Sequence, residues 1–152
     1  MAFHLSTSAF PKHVIPTEFT CDGADKSPAL TWSDPPKGTE SFALIVEDPD
    51  APAGIWVHWL LYDLPADARE LPEALPKERS LSSGAHQGRN DFAKLGYNGP
   101  CPPRGRSHRY VFTLYALDSK TELAPGATKA ELQRAIRGHA LAEAKLTATF
   151  KH

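Results

Sequence analysis

Cysteine is scarce in this chain: two residues of 152, Cys21 and Cys101. Two cysteines cannot build the framework of bridges that holds small secreted domains together. Each lies in a turn-rich segment, 20–23 and 99–102, so two readings stand open: two reduced thiols, or one pair meeting beside a common pocket. An excess of either charge is lacking too, with 17 Lys and Arg against 18 Asp and Glu. No broad basic surface is available to neutralise a phosphate backbone, and nucleic acid is not an expected partner. No stretch approaches the roughly 20 consecutive apolar residues of a spanning helix, and residues 1–6 carry no basic segment leading into an apolar one. The expectation is a cytoplasmic protein without integral membrane association. Also missing are a Gly-x-x-x-x-Gly-Lys phosphate loop, a Gly-x-Ser-x-Gly nucleophile elbow, His-x-x-x-His and Cys-x-x-Cys. Their absence removes the usual sequence grounds for a nucleotidase, a serine hydrolase or a zinc protein.

Proline and glycine are plentiful, 14 and 10 residues, and are spread from end to end. They punctuate short apolar runs at 29–32, 41–47, 55–62, 109–117 and 145–150. These runs are rich in β-branched and aromatic residues and too short for helices, which is the rhythm of an all-β chain. The runs 41–47, 55–62 and 109–117 are almost continuously apolar, as central strands covered on both faces are. The fold class read from this pattern is mainly β: an antiparallel sandwich with Greek-key-like connections, one domain over 1–152, and one or two short peripheral helices. The better marked helix runs from Thr128 to Gly138, with Thr128 as N-cap, Glu131 closing a capping box, and Gly138 at its end. Leu132, Ala135 and Ile136 give it one apolar face to pack on the sandwich. A second short helix is expected around Pro65–Arg69, and 71–83 reads as a long surface loop.

Chemistry-bearing residues gather at two rigid turns. Asp48-Pro49-Asp50-Ala51-Pro52 follows an apolar run; it is either an ordinary Asx turn or one side of a site. His58 interrupts the next run between Val57 and Trp59. A buried imidazole needs partners, and a backbone carbonyl, Asp48 or Asp50 could each serve. The segment Gly99-Pro100-Cys101-Pro102-Pro103-Arg104-Gly105 is held in shape by its prolines, with Gly99 and Gly105 allowing turns that side chains forbid. It leads into His108 at the mouth of another apolar run. Two histidines beside two stiff loops point to one shared pocket. Two His and two Asp could in principle ligate a metal, but their spacing does not argue for it, so neither metal nor cofactor is expected. Trp32, Trp56 and Trp59 are read mainly as core aromatics, with a pocket-lining tryptophan left open.

Together Asp48-Pro49-Asp50-Ala51-Pro52, Trp56-Val57-His58-Trp59, and Gly99-Pro100 with His108-Arg109-Tyr110 resemble the phosphatidylethanolamine-binding proteins, or Raf kinase inhibitor-like proteins. Thr20-Cys21-Asp22-Gly23, Ser27-Pro28 and Gln87-Gly88-Arg89-Asn90-Asp91-Phe92 resemble the short bacterial and archaeal branch. The resemblance spans nearly the whole chain. It implies a pocket for phosphate-type anions or phospholipid head groups, formed by Asp48, Asp50, His58, His108 and Tyr110 with Gly99 and Pro100 as wall, and Arg109 in structural contacts. It further implies a non-catalytic binding protein, with modulation of a protein kinase or protease and homodimerisation as its further associations. The rivals are a surface-acting inhibitor with a vestigial pocket and a hydrolase using His58 and Asp48 as a base pair.

Overall fold

Turn residues and short apolar runs fold into eight strands and one α-helix in the computed structural model, which describes residues 2–152. In chain order these are β1 (His4–Ser6), β2 (Leu30–Ser33), β3 (Ser41–Asp48), β4 (Trp56–Pro65), β5 (Glu70–Leu71), β6 (His86–Gln87), β7 (His108–Leu117), α1 (Lys129–Ile136) and β8 (Ala140–Phe150). Strands β1-β2-β5 form a small sheet and β6-β4-β3-β7-β8 a large one, with every strand pairing antiparallel. Within the large sheet the order β7-β3-β4-β6 is that of a Greek key. No helix among the described residues is long and apolar enough to cross a membrane.

The three continuously apolar runs are the three central strands of the large sheet, and the structure shows why they do not alternate. One face packs Phe42, Leu44, Leu61, Phe112 and Leu114 against the small sheet, which contributes Leu5, Leu30 and Trp32. The opposite face buries Ala43, Ile45, Leu60 and Tyr62 beneath Leu132 and Ile136 of α1. Both faces are dry, so both must be apolar.

Helix α1 is capped as its sequence indicates. The Glu131 N–H donates to Thr128 Oγ1 at 3.3 Å, and the Thr128 N–H donates to Glu131 Oε1 at 3.0 Å. Gly138 takes φ +81°, the left-handed value that ends helices. The helix expected at Pro65–Arg69 is instead a turn, closed by the Ala68 N–H donating to the Pro65 carbonyl at 3.0 Å. Strand β8 begins at Ala140, ahead of the apolar run at 145–150. Its first half is mostly exposed and alanine-rich, and pairing with β7 from Leu117↔Ala140 to His108↔Phe150 overrides its weak strand propensity.

Candidate functional site

Strands β4, β3 and β7 lie side by side, so the end of β3 and the starts of β4 and β7 meet at one edge of the sandwich. A β-bulge there decides which side chains share a face. Val46 pairs with Trp59, but Glu47 pairs with Val57, leaving His58 as the extra residue. Val57 turns to the helix-covered face while Trp59 joins the inter-sheet core. His58 is thereby aimed at Tyr110, with ring centroids 5.3 Å apart in an edge-to-face contact. Residues 90–98 satisfy the backbone that the bulge leaves unpaired. The Val57 N–H donates to Asp91 Oδ2 at 2.6 Å, and the Asp91 and Asn98 N–H groups donate to the carbonyls of Val57 and His58 at 2.9 and 3.2 Å.

The result is a cavity of about 320 Å³ floored by Asp48, His58, His108 and Tyr110 and walled by Trp56, Phe92, Pro52, Ala51, Ala53, Cys101, Pro102 and Pro103. The His108 Nδ1–H donates to Asp48 Oδ2 at 2.7 Å, and the second Asp48 oxygen accepts the Asp50 N–H at 2.7 Å. The His58 Nδ1–H donates to the Asn98 carbonyl at 2.6 Å, so the backbone-carbonyl reading of this histidine holds and Asp48 belongs to His108. Asn98 is in turn fixed by Asn90 and Asp25, at 2.9 and 3.3 Å. Burial pushes the His58 pKa down, against opposing contributions from the Asn98 carbonyl, Asp48 and Asp25. His58 is therefore neutral at pH 7, with Nδ1 protonated and Nε2 bare. Among the described residues the Nε2 atoms of His58 and His108 have no protein partner, although both rings line the cavity.

Tyr110 is the sharpest feature of the site. The residue is 1% exposed, it lines the cavity, and its hydroxyl has no hydrogen-bond partner. Burial, followed by the charges of Asp48 and Asp50, raises its pKa well above that of a free phenol, so the hydroxyl stays a neutral donor. The site thus offers one phenolic O–H and two imidazole edges within an apolar wall.

Of the residues singled out in the sequence, Asp48, His58, His108 and Tyr110 are brought together, while Asp50, Gly99 and Pro100 are not on the cavity surface. Asp50 is engaged by Arg109, whose Nε and Nη2 each donate to its carboxylate at 2.9 Å and whose main-chain N–H adds a third bond at 2.9 Å. This fork holds the Asp50 carboxyl well below the usual carboxylate range and gives Arg109 the structural role expected of it. Gly99 stands behind the wall. It needs to be glycine for space and not for an unusual φ, since a Cβ there would sit 2.0 Å from the Phe19 carbonyl oxygen. The Pro100 carbonyl accepts the Cys21 N–H at 3.1 Å. Cys21 and Cys101 are joined in a disulfide, which ties the proline wall to the 20–23 turn. Trp32 and Trp59 are core, and Trp56 is the tryptophan that lines the cavity.

Phe92 stands in a motif of the sequence without a site role assigned to it there, and Asn98 is not singled out in the sequence at all. Asn90, Asp91 and Asn98, three amide or acid side chains clustered in one loop, are the signal that could have marked it as the partner of a distorted strand. Among the described residues, the one group of three potential metal ligands with atoms within 4.8 Å of one another is Cys21, Asp22 and His152, not the histidines of the cavity.

Comparison with known proteins bears on the whole chain. Residues 5–151 match the family described as phosphatidylethanolamine-binding protein. A UPF0098 protein of Methanothermobacter thermautotrophicus is 46% identical over 149 residues, covering 97% of this chain and 98% of its own. The UPF0098 protein YbhB of Escherichia coli is 44% identical over 132 residues, covering 85% and 84%. Among solved structures, Escherichia coli YbcL, titled a member of the mammalian PEBP family, superposes with a TM-score of 0.92 at 33% identity over 100% of this chain and 99% of its own. A phosphatidylethanolamine-binding protein homologue from Chlamydia trachomatis gives 0.89 at 38% identity over 99% and 98%. With the family match over 5–151, a 46% identical relative covered over nearly its whole length and a solved neighbour at a TM-score of 0.92, the chain belongs to the phosphatidylethanolamine-binding protein family, in its bacterial and archaeal branch.

Proposed function

We propose that this cavity captures phosphate-type anions, free or as a phospholipid head group, by recognition and without turnover. The observation that carries the reading is the Tyr110 hydroxyl, a buried donor without a hydrogen-bond partner on a residue that lines the cavity. An unpaired buried hydroxyl costs about 1–3 kcal/mol, which a ligand oxygen relieves. The His58 Nε2 becomes a further donor when its ring is protonated. An anion favours that protonation, because a negative charge in a buried site raises the pKa of a neighbouring imidazole. Asp48 does not oppose the anion as a bare carboxylate would, since His108 and the Asp50 N–H already engage both its oxygens. The aromatic and proline wall keeps water from competing and accommodates the short carbon chain of a head group.

A protein kinase or protease would meet this chain through the rim loops 48–52 and 99–107, whose conformation occupancy of the cavity would bias. A hydrolytic reading has one observation in its favour, the His108–Asp48 pair in general-base geometry. His58 and Asp48, the base pair that the hydrolase reading of the sequence requires, are not hydrogen-bonded to each other.

Titration with inorganic phosphate and with phosphoethanolamine, followed by proton and phosphorus NMR, tests the proposal. The expected result is saturable shifts at His58, His108 and Tyr110, weakened about tenfold in Tyr110→Phe. Affinity falls as pH rises through the imidazole range. Shifts scattered over the surface, or a flat pH titration, overturn the reading; release of phosphate from phosphoethanolamine replaces it with the hydrolase.

A further inference from the structure

Beside the pocket wall, and independent of the pocket's ligand, three segments far apart in sequence meet: Cys21 and Asp22, Cys101, and His152. Strand β8 ends at Phe150, and two residues later the His152 ring is gripped on both sides. Its Nδ1–H donates to the Pro102 carbonyl at 2.6 Å, and its Nε2–H to the Asp22 carboxylate at 2.8 Å. Asp22 follows Cys21, and Cys21 is bonded to Cys101, the neighbour of Pro102. The ligand atoms of Cys21, Asp22 and His152 all lie within 4.8 Å of one another, and the Cys101 sulfur is attached to that of Cys21. In the bridged state the sulfurs carry no thiolate and the cluster is a hydrogen-bonded clasp.

We propose that reduction of the Cys21–Cys101 bridge converts this clasp into a zinc site made of the two thiolates, His152 Nε2 and one Asp22 carboxylate oxygen. Two sulfurs, one nitrogen and one oxygen make a four-ligand set suited to tetrahedral Zn²⁺, and thiolates disfavour Mg²⁺ and Ca²⁺. A dithiol reductant gives two electrons and two protons to the bridge and becomes a disulfide itself. Zn²⁺ then displaces one proton from each thiol and the proton on His152 Nε2, all released to water. Asp22 exchanges its hydrogen bond with that Nε2 for the metal.

The Pro102 bond is what distinguishes this cluster from a chance meeting of side chains. Metal-bound histidines characteristically donate their other ring N–H to a carbonyl or carboxylate, which fixes the tautomer and aims the free nitrogen. His152 already makes that bond through Nδ1, leaving Nε2 as the atom directed at Asp22, in a group whose third member is Cys21. Cys21, Cys101 and Asp22 are exposed, so an ion can enter without rearrangement of the core.

Calorimetric titration of ZnCl₂ into the full chain, after reduction by a phosphine and with the disulfide form in parallel, tests this. Native mass spectrometry supplies the stoichiometry. The expected result is one zinc per reduced chain, none on the oxidised chain at the same concentration, and a loss of affinity of at least about tenfold in reduced His152→Ala and in Asp22→Asn. Cobalt(II) in place of zinc should give the intense visible bands of a tetrahedral thiolate complex, lost in Cys101→Ser. Equal zinc uptake by the oxidised chain, no uptake by the reduced chain, or undiminished affinity in reduced His152→Ala each overturns the proposal. The last outcome would mark binding by the two cysteines alone.

Discussion

Asp48 and Asp50 stand two residues apart on one turn, each meets a basic side chain from the start of β7, and the two pairs have opposite physical character. Asp48 and His108 are both about 5% exposed, and a 2.7 Å bond joins them at the base of the cavity. Asp50 is 23% exposed and its partner Arg109 is 59% exposed, outside the cavity. Residues alternate across a strand, so His108 and Arg109 must point to opposite faces, and the turn supplies one carboxylate to each. Three hydrogen bonds make the outer pair better connected, yet solvent screens it. The inner pair has one bond and no screening, so its loss leaves an imidazole stranded among apolar atoms. Number of contacts is thus a poor guide to which pair matters.

The largest effect expected from breaking this comparison is that of Asp48→Ala. It should lower stability by about 3 kcal/mol in urea denaturation, as expected for a buried pair deprived of one partner, and abolish phosphate binding. Tyr110→Phe sharpens the contrast between stability and function. Removing the unpaired hydroxyl should leave stability unchanged or raise it by about 1 kcal/mol, while phosphate binding weakens about tenfold, a divergence that denaturation and NMR titration on one sample would show.

Acid stability tests the inner region further. Burial lowers the His58 pKa in the folded chain, so between the unfolded value, about 6.5, and the lower folded value the unfolded chain holds more protons. Stability must then fall as pH drops from 7 through this window, and His58→Gln should flatten that part of the curve. Asp50 gives a similar sign at lower pH. Its folded pKa is depressed by Arg109, so its contribution is intact above about pH 4 and is lost on further acidification. Arg109→Ala should have the smallest effect of the series, removing only the screened stabilisation present above about pH 4, and with it the acid-side slope, and changing phosphate affinity by less than about twofold.

The central strands were legible because a strand dry on both faces has to be apolar at every position, and α1 because its capping box and terminal glycine are local chemistry. Strands β1, β5 and β6, of two or three residues, have no such signature, since pairing partners alone define them. The site divides along the same line. That Asp48, His58, His108 and Tyr110 belong near one pocket was readable from their motifs. That Asp48 serves His108 and not His58, and that Asp50 is consumed by Arg109, depends on register across β3 and β7, which no single segment encodes. Phe92 and Asn98 were hidden for the same reason: their roles exist only opposite the bulge. The pairing of the two cysteines is not legible in the sequence, because lying in turns does not fix a distance between residues 21 and 101.

That bulge makes the site sensitive to chain length in a way that side-chain chemistry is not. His58 faces Tyr110 because β4 carries one residue more than β3 opposite it, so deletion of His58 would restore ordinary pairing at this point. All of Asp48, His108 and Tyr110 would survive such a deletion, and so would the sheet, yet the pocket would be left with one imidazole. Insertions and deletions in this strand are therefore the changes by which a related chain could keep the architecture while discarding the site.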